Sequence, residues 1–295
     1  MSKPIINALT VDVEDYFHVS AFNQSVKRDD WGTFESRVER NTNQLLTLFE
    51  EFDIKATFFV LGWVAERNPD LVKRIYAQGH EVASHGYSHQ LVYNQPIDVF
   101  KDETLRSKRI LEDIIQAPVL GYRAASYSIT NKSEWALDIL AEAGFSYDSS
   151  IFPVHHDRYG IPGSPKFPYV RKTPAGHSLV EFPLSSVKLL GYQLPIAGGG
   201  YFRLYPYFFT RFGLGLVNKT DNPFVFYLHP WEIDPEQPKI KASLLSRFRH
   251  YNNLNKCEQR LRHLLRDFNF STMANVLSHL ALLETTDQKQ AVNLN

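Results

Sequence analysis

Glu81-Val82-Ala83-Ser84-His85-Gly86-Tyr87-Ser88-His89 is the stretch on which the reading of this chain turns. Residues 80–84 have the composition of a short buried strand, and the strand runs into two histidines four residues apart. Four residues is about one helical turn, so both imidazoles can project to the same side. Two same-side imidazoles are half of a metal site. The bare spacing suits two surface histidines on a turn equally well. The rest of the chain breaks that tie.

Upstream, residues 5–13 (Ile5-Ile6-Asn7-Ala8-Leu9-Thr10-Val11-Asp12-Val13) read as a second buried strand, and it runs into Asp12, Glu14 and Asp15. Charged groups at the end of a buried strand are costly unless they have a task. On a strand Asp12 and Glu14 share a face, whereas Asp15 falls where the chain should already be turning. Helical periodicity covers 38–52, and 56–62 is another apolar strand. Asn68 and Pro69 are suited to the N-cap and first position of a helix that stops at Gly79. Downstream come a helix over 96–115, a strand over 117–123 ending in Arg123, a helix over 133–144 and a strand over 145–150 containing Asp148. Seven prolines and the run Gly198-Gly199-Gly200 break up residues 152–200, where 178–183 still reads as a strand. The glycine run either turns sharply or lets a ligand approach the backbone. A helix is expected over 205–217, a strand over 223–229 ending in His229, and helices over 254–267 and 272–283. Strands alternating with helices, with polar residues at strand C-termini, are the pattern of a parallel α/β barrel. One domain over 1–283 is expected, with 232–283 as a helical extension and a disordered tail from 284.

Composition narrows the function. Lys+Arg and Asp+Glu are both 32, so no basic surplus points to nucleic acid or an anionic membrane. Cys257 is the single cysteine, so no intrachain disulfide can form. No window reaches the apolar length of a transmembrane helix, and Met1-Ser2-Lys3-Pro4 lacks a signal-like apolar run. The expectation is a cytoplasmic protein. Aromatic residues make up 14%, enough for an aromatic core or for a groove in which rings stack on sugars.

The residues at the strand ends, taken in order, resemble the motifs of the polysaccharide deacetylase family, carbohydrate esterase family 4. Leu9-Thr10-Val11-Asp12-Val13-Glu14-Asp15 is similar to its aspartate pair, and His85-Gly86-Tyr87-Ser88-His89 to its second motif. Arg123-Ala124-Ala125-Ser126-Tyr127, Asp148-Ser149-Ser150-Ile151-Phe152 and Leu228-His229 match the rest. Two departures stand out. The acids are spaced Asp-Val-Glu-Asp instead of adjacent, and Ala125 replaces a proline. Asp12-Val13-Glu14-Asp15-Tyr16-Phe17-His18, Gly198 to Arg203 and His229 to Pro235 further resemble a bacterial subgroup associated with exopolysaccharide biosynthesis that carries an extra C-terminal region.

The resemblance implies a distorted parallel (β/α) barrel of about seven strands. It also implies a hydrolase that removes N-acetyl groups from sugars of an oligo- or polysaccharide, lipid-linked forms included. A divalent metal, zinc or else cobalt, nickel or iron, would sit on His85, His89 and either Glu14 or Asp15; strand periodicity favours Glu14. Asp12 would be the general base, paired with Arg123, and His229 the general acid. Asp148 would orient His229 or line the groove. A backbone N–H near Tyr127 or Tyr16 would assist at the oxyanion. Tyr127, Tyr147, Tyr201 and Trp231 are the candidate substrate-binding residues. Two alternatives compete: a metal-free hydrolase of cyclic amides such as allantoin, and a non-catalytic glycan-binding or scaffold protein.

Overall fold

A computed structural model describes residues 4–156, 158–189 and 191–284. The tail expected to be disordered lies beyond the described residues, apart from Glu284. In chain order the first half is β1 (Ile6–Val13), α1 (Val38–Glu51), β2 (Thr57–Val60), α2 (Gly62–Arg67), α3 (Pro69–Ala77), β3 (Glu81–Ser84), α4 (Ile97–Ile115), β4 (Gly121–Tyr122), α5 (Trp135–Glu142) and β5 (Tyr147–Asp148). The second half is β6 (Tyr169–Lys172), β7 (Ser178–Glu181), β8 (Ser186–Leu189), β9 (Tyr192–Pro195), α6 (Gly199–Leu204), α7 (Tyr207–Asn218), β10 (Val225–Leu228), α8 (Leu244–Tyr251), α9 (Leu254–Asp267), β11 (Asn269–Ser271) and α10 (Met273–His279).

Nine strands form one sheet in the order β10-β1-β2-β3-β4-β5-β7-β6, with β11 added beside the start of β1. All neighbours are parallel except β6 against β7. The first strand therefore lies against the late strand β10, as a barrel requires. Residues 184–198 bridge the gap between β7 and β10: Leu184 N donates to Ile151 O (2.9 Å), Ile196 N to Ser185 O (3.3 Å) and Tyr227 N to Ala197 O (2.7 Å). Gly198 pairs with Tyr227 at φ 134°, where a side chain would collide with the Tyr227 carbonyl. The glycine run thus serves a close approach of two backbones.

Period-two alternation sorts the strands. Leu9, Val11 and Val13 pack outward in the large core, while Ala8, Phe59, Ala83, Tyr147, Val180 and Tyr227 belong to a separate interior cluster. Burying each large apolar side chain contributes roughly 1.5–3 kcal/mol. α10 closes the floor: Met273 N donates to Thr57 Oγ1 (2.7 Å) and Ala274 N to Glu81 Oε2 (3.1 Å). The chain after residue 232 is therefore more than a helical extension, since β11 joins the sheet. The hairpin β8–β9 and the strand β6 were not legible in the proline-rich segment. Asn68 sits at the start of α3, but its side chain donates back to Val64 O (3.1 Å) instead of capping.

Candidate active site

The C-terminal ends of the parallel strands converge on one pocket of about 870 Å³. Asp12, the last inward-facing residue of β1, and Glu14 just beyond it reach this pocket, as do His85, His89 and His229. The five residues 85–89 are not helical. Gly86 (φ 72°) and His89 (φ 50°) both take left-handed conformations, and this turn brings the two imidazole centroids to 5.4 Å. A non-glycine residue held there is strained, as functional loops often are.

Ligand atoms of Glu14, His85 and His89 all lie within 4.8 Å of one another, and all three residues are buried. Glu14 Oε2 is 2.8 Å from His89 Nε2, and among the described residues it makes no other polar contact. His85 Nδ1 is 2.8 Å from Arg123 O, which fixes the proton on Nδ1 and leaves Nε2 free to ligate. Burial depresses His85 to about 4, favouring the neutral, ligating form. Burial alone would raise Glu14, but His89, His229 and His85 outweigh it and hold the carboxyl well below its usual range. Two imidazoles and one carboxylate in this arrangement suit a divalent ion.

Asp15 does not join them. Its Oδ2 accepts from Ser36 Oγ (2.9 Å), Arg37 N (2.7 Å) and Val38 N (3.1 Å), at the start of α1, and its Oδ1 from Tyr16 N (3.0 Å). The strand ends at Val13, so the turn that carries Glu14 to the pocket sends Asp15 to the helix. Asp12 is pinned from the other side: Arg123 Nη1 donates to its Oδ1 (2.7 Å) and to Thr10 Oγ1 (2.8 Å). Tyr127 hydroxyl donates to Asp12 Oδ2 at 3.4 Å. Ser126 and Tyr127 are both left-handed, so the loop after Arg123 is tightly turned without the proline.

His229 faces the same acids, its Nε2 being 3.5 Å from Glu14 Oε1 and 3.9 Å from Asp12 Oδ2. Its carboxylate partner is Glu232, whose Oε1 lies 2.7 Å from Nδ1 and also accepts from His229 N (3.1 Å). Burial would lower the imidazole, but the Glu232 hydrogen bond with the nearby acids raises it to about 9. Glu232 is fixed by Arg203, whose Nε donates to Oε2 at 2.6 Å; despite burial, Arg203 and His229 hold it down at about 2.

Asp148 therefore does not orient His229. On β5 Tyr147 points inward and Asp148 outward, where it stands beside Glu181 in the paired strand β7. Tyr147 also leaves the candidate set, because its hydroxyl donates to Glu81 Oε1 (2.7 Å) at the barrel floor. The N–H groups of Tyr127 and Tyr16 are engaged, with Ala124 O and Asp15 Oδ1, so neither faces an oxyanion. Tyr201 and Trp231 do line the pocket. Trp231 stacks between His229 (5.0 Å) and His250 (4.2 Å), and its Nε1 lies 3.4 Å from Glu14 Oε1. Sequence reasoning missed Glu232, Arg203 and His250. For Glu232 a signal existed: His229-Pro230-Trp231-Glu232 has proline at the first helical position and glutamate at the third, a capping-box pattern that the 3-10 turn at Pro230–Ile233 adopts. Arg203 closes the quoted Gly198 to Arg203 stretch, but nothing there tied it to Glu232, and His250 gave no signal.

Residues 25–147 match the family model described as Polysaccharide deacetylase, and residues 149–278 match one described as a domain of unknown function (DUF3473). A peptidoglycan deacetylase of Helicobacter pylori is 28% identical over 158 residues, 53% of this chain and 52% of that protein. The chain spans about half or less of the first curated relatives it matches. Among solved structures, Puue allantoinase aligns at a TM-score of 0.59 and 17% identity, over 93% of this chain and 89% of that one. A "probable Polysaccharide deacetylase" from Pseudomonas aeruginosa PAO1 aligns at 0.59 and 14%, over 93% and 90%. These likenesses establish a shared fold, a helix-flanked, mainly parallel sheet of the distorted (β/α) kind. The chain is thus similar to polysaccharide deacetylases across residues 25–147.

Proposed function

We propose that this chain is a divalent-metal-dependent hydrolase that removes N-acetyl groups from amino sugars of a polysaccharide or its precursor. The observation that carries the reading is the buried Glu14–His85–His89 cluster, flanked by an arginine-paired aspartate and a carboxylate-held histidine. A divalent ion on those three residues would polarise the acetyl carbonyl and acidify water beside it. Asp12, with Oδ1 held by Arg123, keeps Oδ2 toward the pocket to accept the water's proton. His229 stays protonated through Glu232 and presents Nε2–H to the departing amine. Tyr201 and Trp231 offer faces for sugar rings. Zinc suits two histidines and a carboxylate, and the subgroup resemblance supports an exopolysaccharide precursor in the cytoplasm as substrate.

The test pairs metal with turnover. His85→Ala and His89→Ala should each lose bound metal by elemental analysis while staying folded, and acetate release from an N-acetylated oligosaccharide should cease. His229→Gln should keep the metal and slow release by ~10²–10⁴-fold. Full metal occupancy in the double histidine variant refutes the site. Turnover of a cyclic amide such as allantoin, with none of the oligosaccharide, refutes the substrate class.

A further inference from the structure

The balanced net charge of the chain conceals a local asymmetry. Residues 182–220 contain no Asp or Glu but carry Lys188, Arg203, Arg211 and Lys219. Residues 237–257 likewise contain no acid but carry Lys239, Lys241, Arg247, Arg249 and Lys256. Among the described residues Lys239, Lys241, Arg247 and Arg249 make no ion pair, whereas Arg211 is paired with Asp267 at 3.0 Å.

The same segments expose large apolar side chains. On α8 Leu244 is 83% exposed, Leu245 58% and Phe248 56%, while His250 is the buried anchor. On α7 Phe208 is 73% and Phe212 54% exposed, one turn apart on one face, and Leu204 ends α6 at 47%. An amphipathic helix of a globular protein turns its apolar face inward. α8 turns it outward.

The two segments are locked together. Arg203 donates to the carbonyls of Arg249 (3.2 Å) and Asn252 (3.1 Å), and Asn253 Nδ2 donates back to Arg203 O (2.9 Å). Leu204, Phe248 and Arg249 line the mouth of the pocket described above. Exposed leucines and phenylalanines interleaved with unpaired cations match the boundary between acyl chains and phosphates of a bilayer.

We infer that the rim formed by α6, α7 and α8 docks on an anionic phospholipid surface, with the pocket mouth at its edge. A protein groove that accepted the apolar face would need acids to meet the cations around it, and this chain's own acids are absent from both segments. The inference rests on the proposed deacetylase reading only for what then enters the pocket, a glycan still attached to its lipid carrier.

The test is sedimentation of the full chain with phosphatidylcholine vesicles, with and without one third phosphatidylglycerol. Binding is expected to the anionic vesicles only, and to fade at high salt. Lys239→Gln/Lys241→Gln should weaken it about fivefold per charge. Leu244→Ser/Leu245→Ser should weaken it further, with metal content and thermal unfolding unchanged. Equal binding to neutral vesicles, no binding, or wild-type binding by both variants overturns the docking surface. So does a wild-type dimer that the leucine variant dissociates without any vesicle binding, which would assign the patch to a second copy of the chain. The readout needs no turnover. A protein that binds the vesicles and releases no acetate upholds the docking surface and refutes the activity.

Discussion

Two pairs of buried carboxylates stand on opposite sides of this barrel, and they have opposite fates. Asp12 and Glu14 face the pocket, where Arg123 lies 2.7 Å from one and His89 2.8 Å from the other. Asp148 and Glu181 face the outer layer, side by side on β5 and β7, and each keeps one oxygen without a hydrogen-bond partner among the described residues. Burial raises both, Asp148 to about 6, and Asp148 raises Glu181 further. The two share a proton, because adjacent buried carboxyls cannot both ionise cheaply. Burial is common to both pairs. What differs is the partner: the Arg123 guanidinium and the His89 imidazole meet Asp12 and Glu14, whereas Asp148 and Glu181 face each other.

The comparison breaks most severely if the cation is removed. Arg123→Met should leave Asp12 buried and unpaired, costing about 3–5 kcal/mol in urea unfolding, and adding Asp12→Asn should recover much of it. A loss under about 1 kcal/mol in the single variant would mean that solvent already compensates Asp12. The outer pair is tested by pH. A native carboxyl raised above its unfolded value of 3.8 contributes stability below that value, and the contribution is lost as pH rises toward about 6. Asp148→Asn should flatten that fall and leave the variant more stable at neutral pH, by up to about 3 kcal/mol. Unchanged pH dependence of the unfolding midpoint would show that the pair titrates normally. The smallest effect sharpens the contrast between neighbours. Asp15→Ala should keep full metal content and cost about 2 kcal/mol at the start of α1, whereas Glu14→Gln should lose metal. Metal lost from the Asp15 variant instead would reverse the two assignments.

Much of this site was legible because its information is local. Apolar strands ending in acids or histidines follow from period-two alternation, which also put Asp12 and Glu14 on one face and set Asp15 apart. Neighbouring placement of the first and late strands follows from closing an alternating βα chain, so Asp12 and His229 could be expected to meet. Alternation also held the warning about Asp148. Once Tyr147 points inward, Asp148 must point out, but a two-residue strand between irregular flanks gives no register to read.

The order of residue types along the chain was enough to determine that a mainly parallel barrel forms, that its strand ends carry two histidines near a carboxylate, and that Arg123 stands beside them. Only the tertiary structure decided which carboxylate serves which partner. The turn after Val13 divides Glu14 from Asp15, and Arg203 reaches from α6 to secure Glu232 beneath His229. These choices depend on distances between segments far apart in sequence, and electrostatic energy varies steeply with such distances inside a protein. Net charge and surface charge differ as well: a count of residues sums to zero, while only the fold leaves the apolar side chains of α8 exposed among the cations of 239–249.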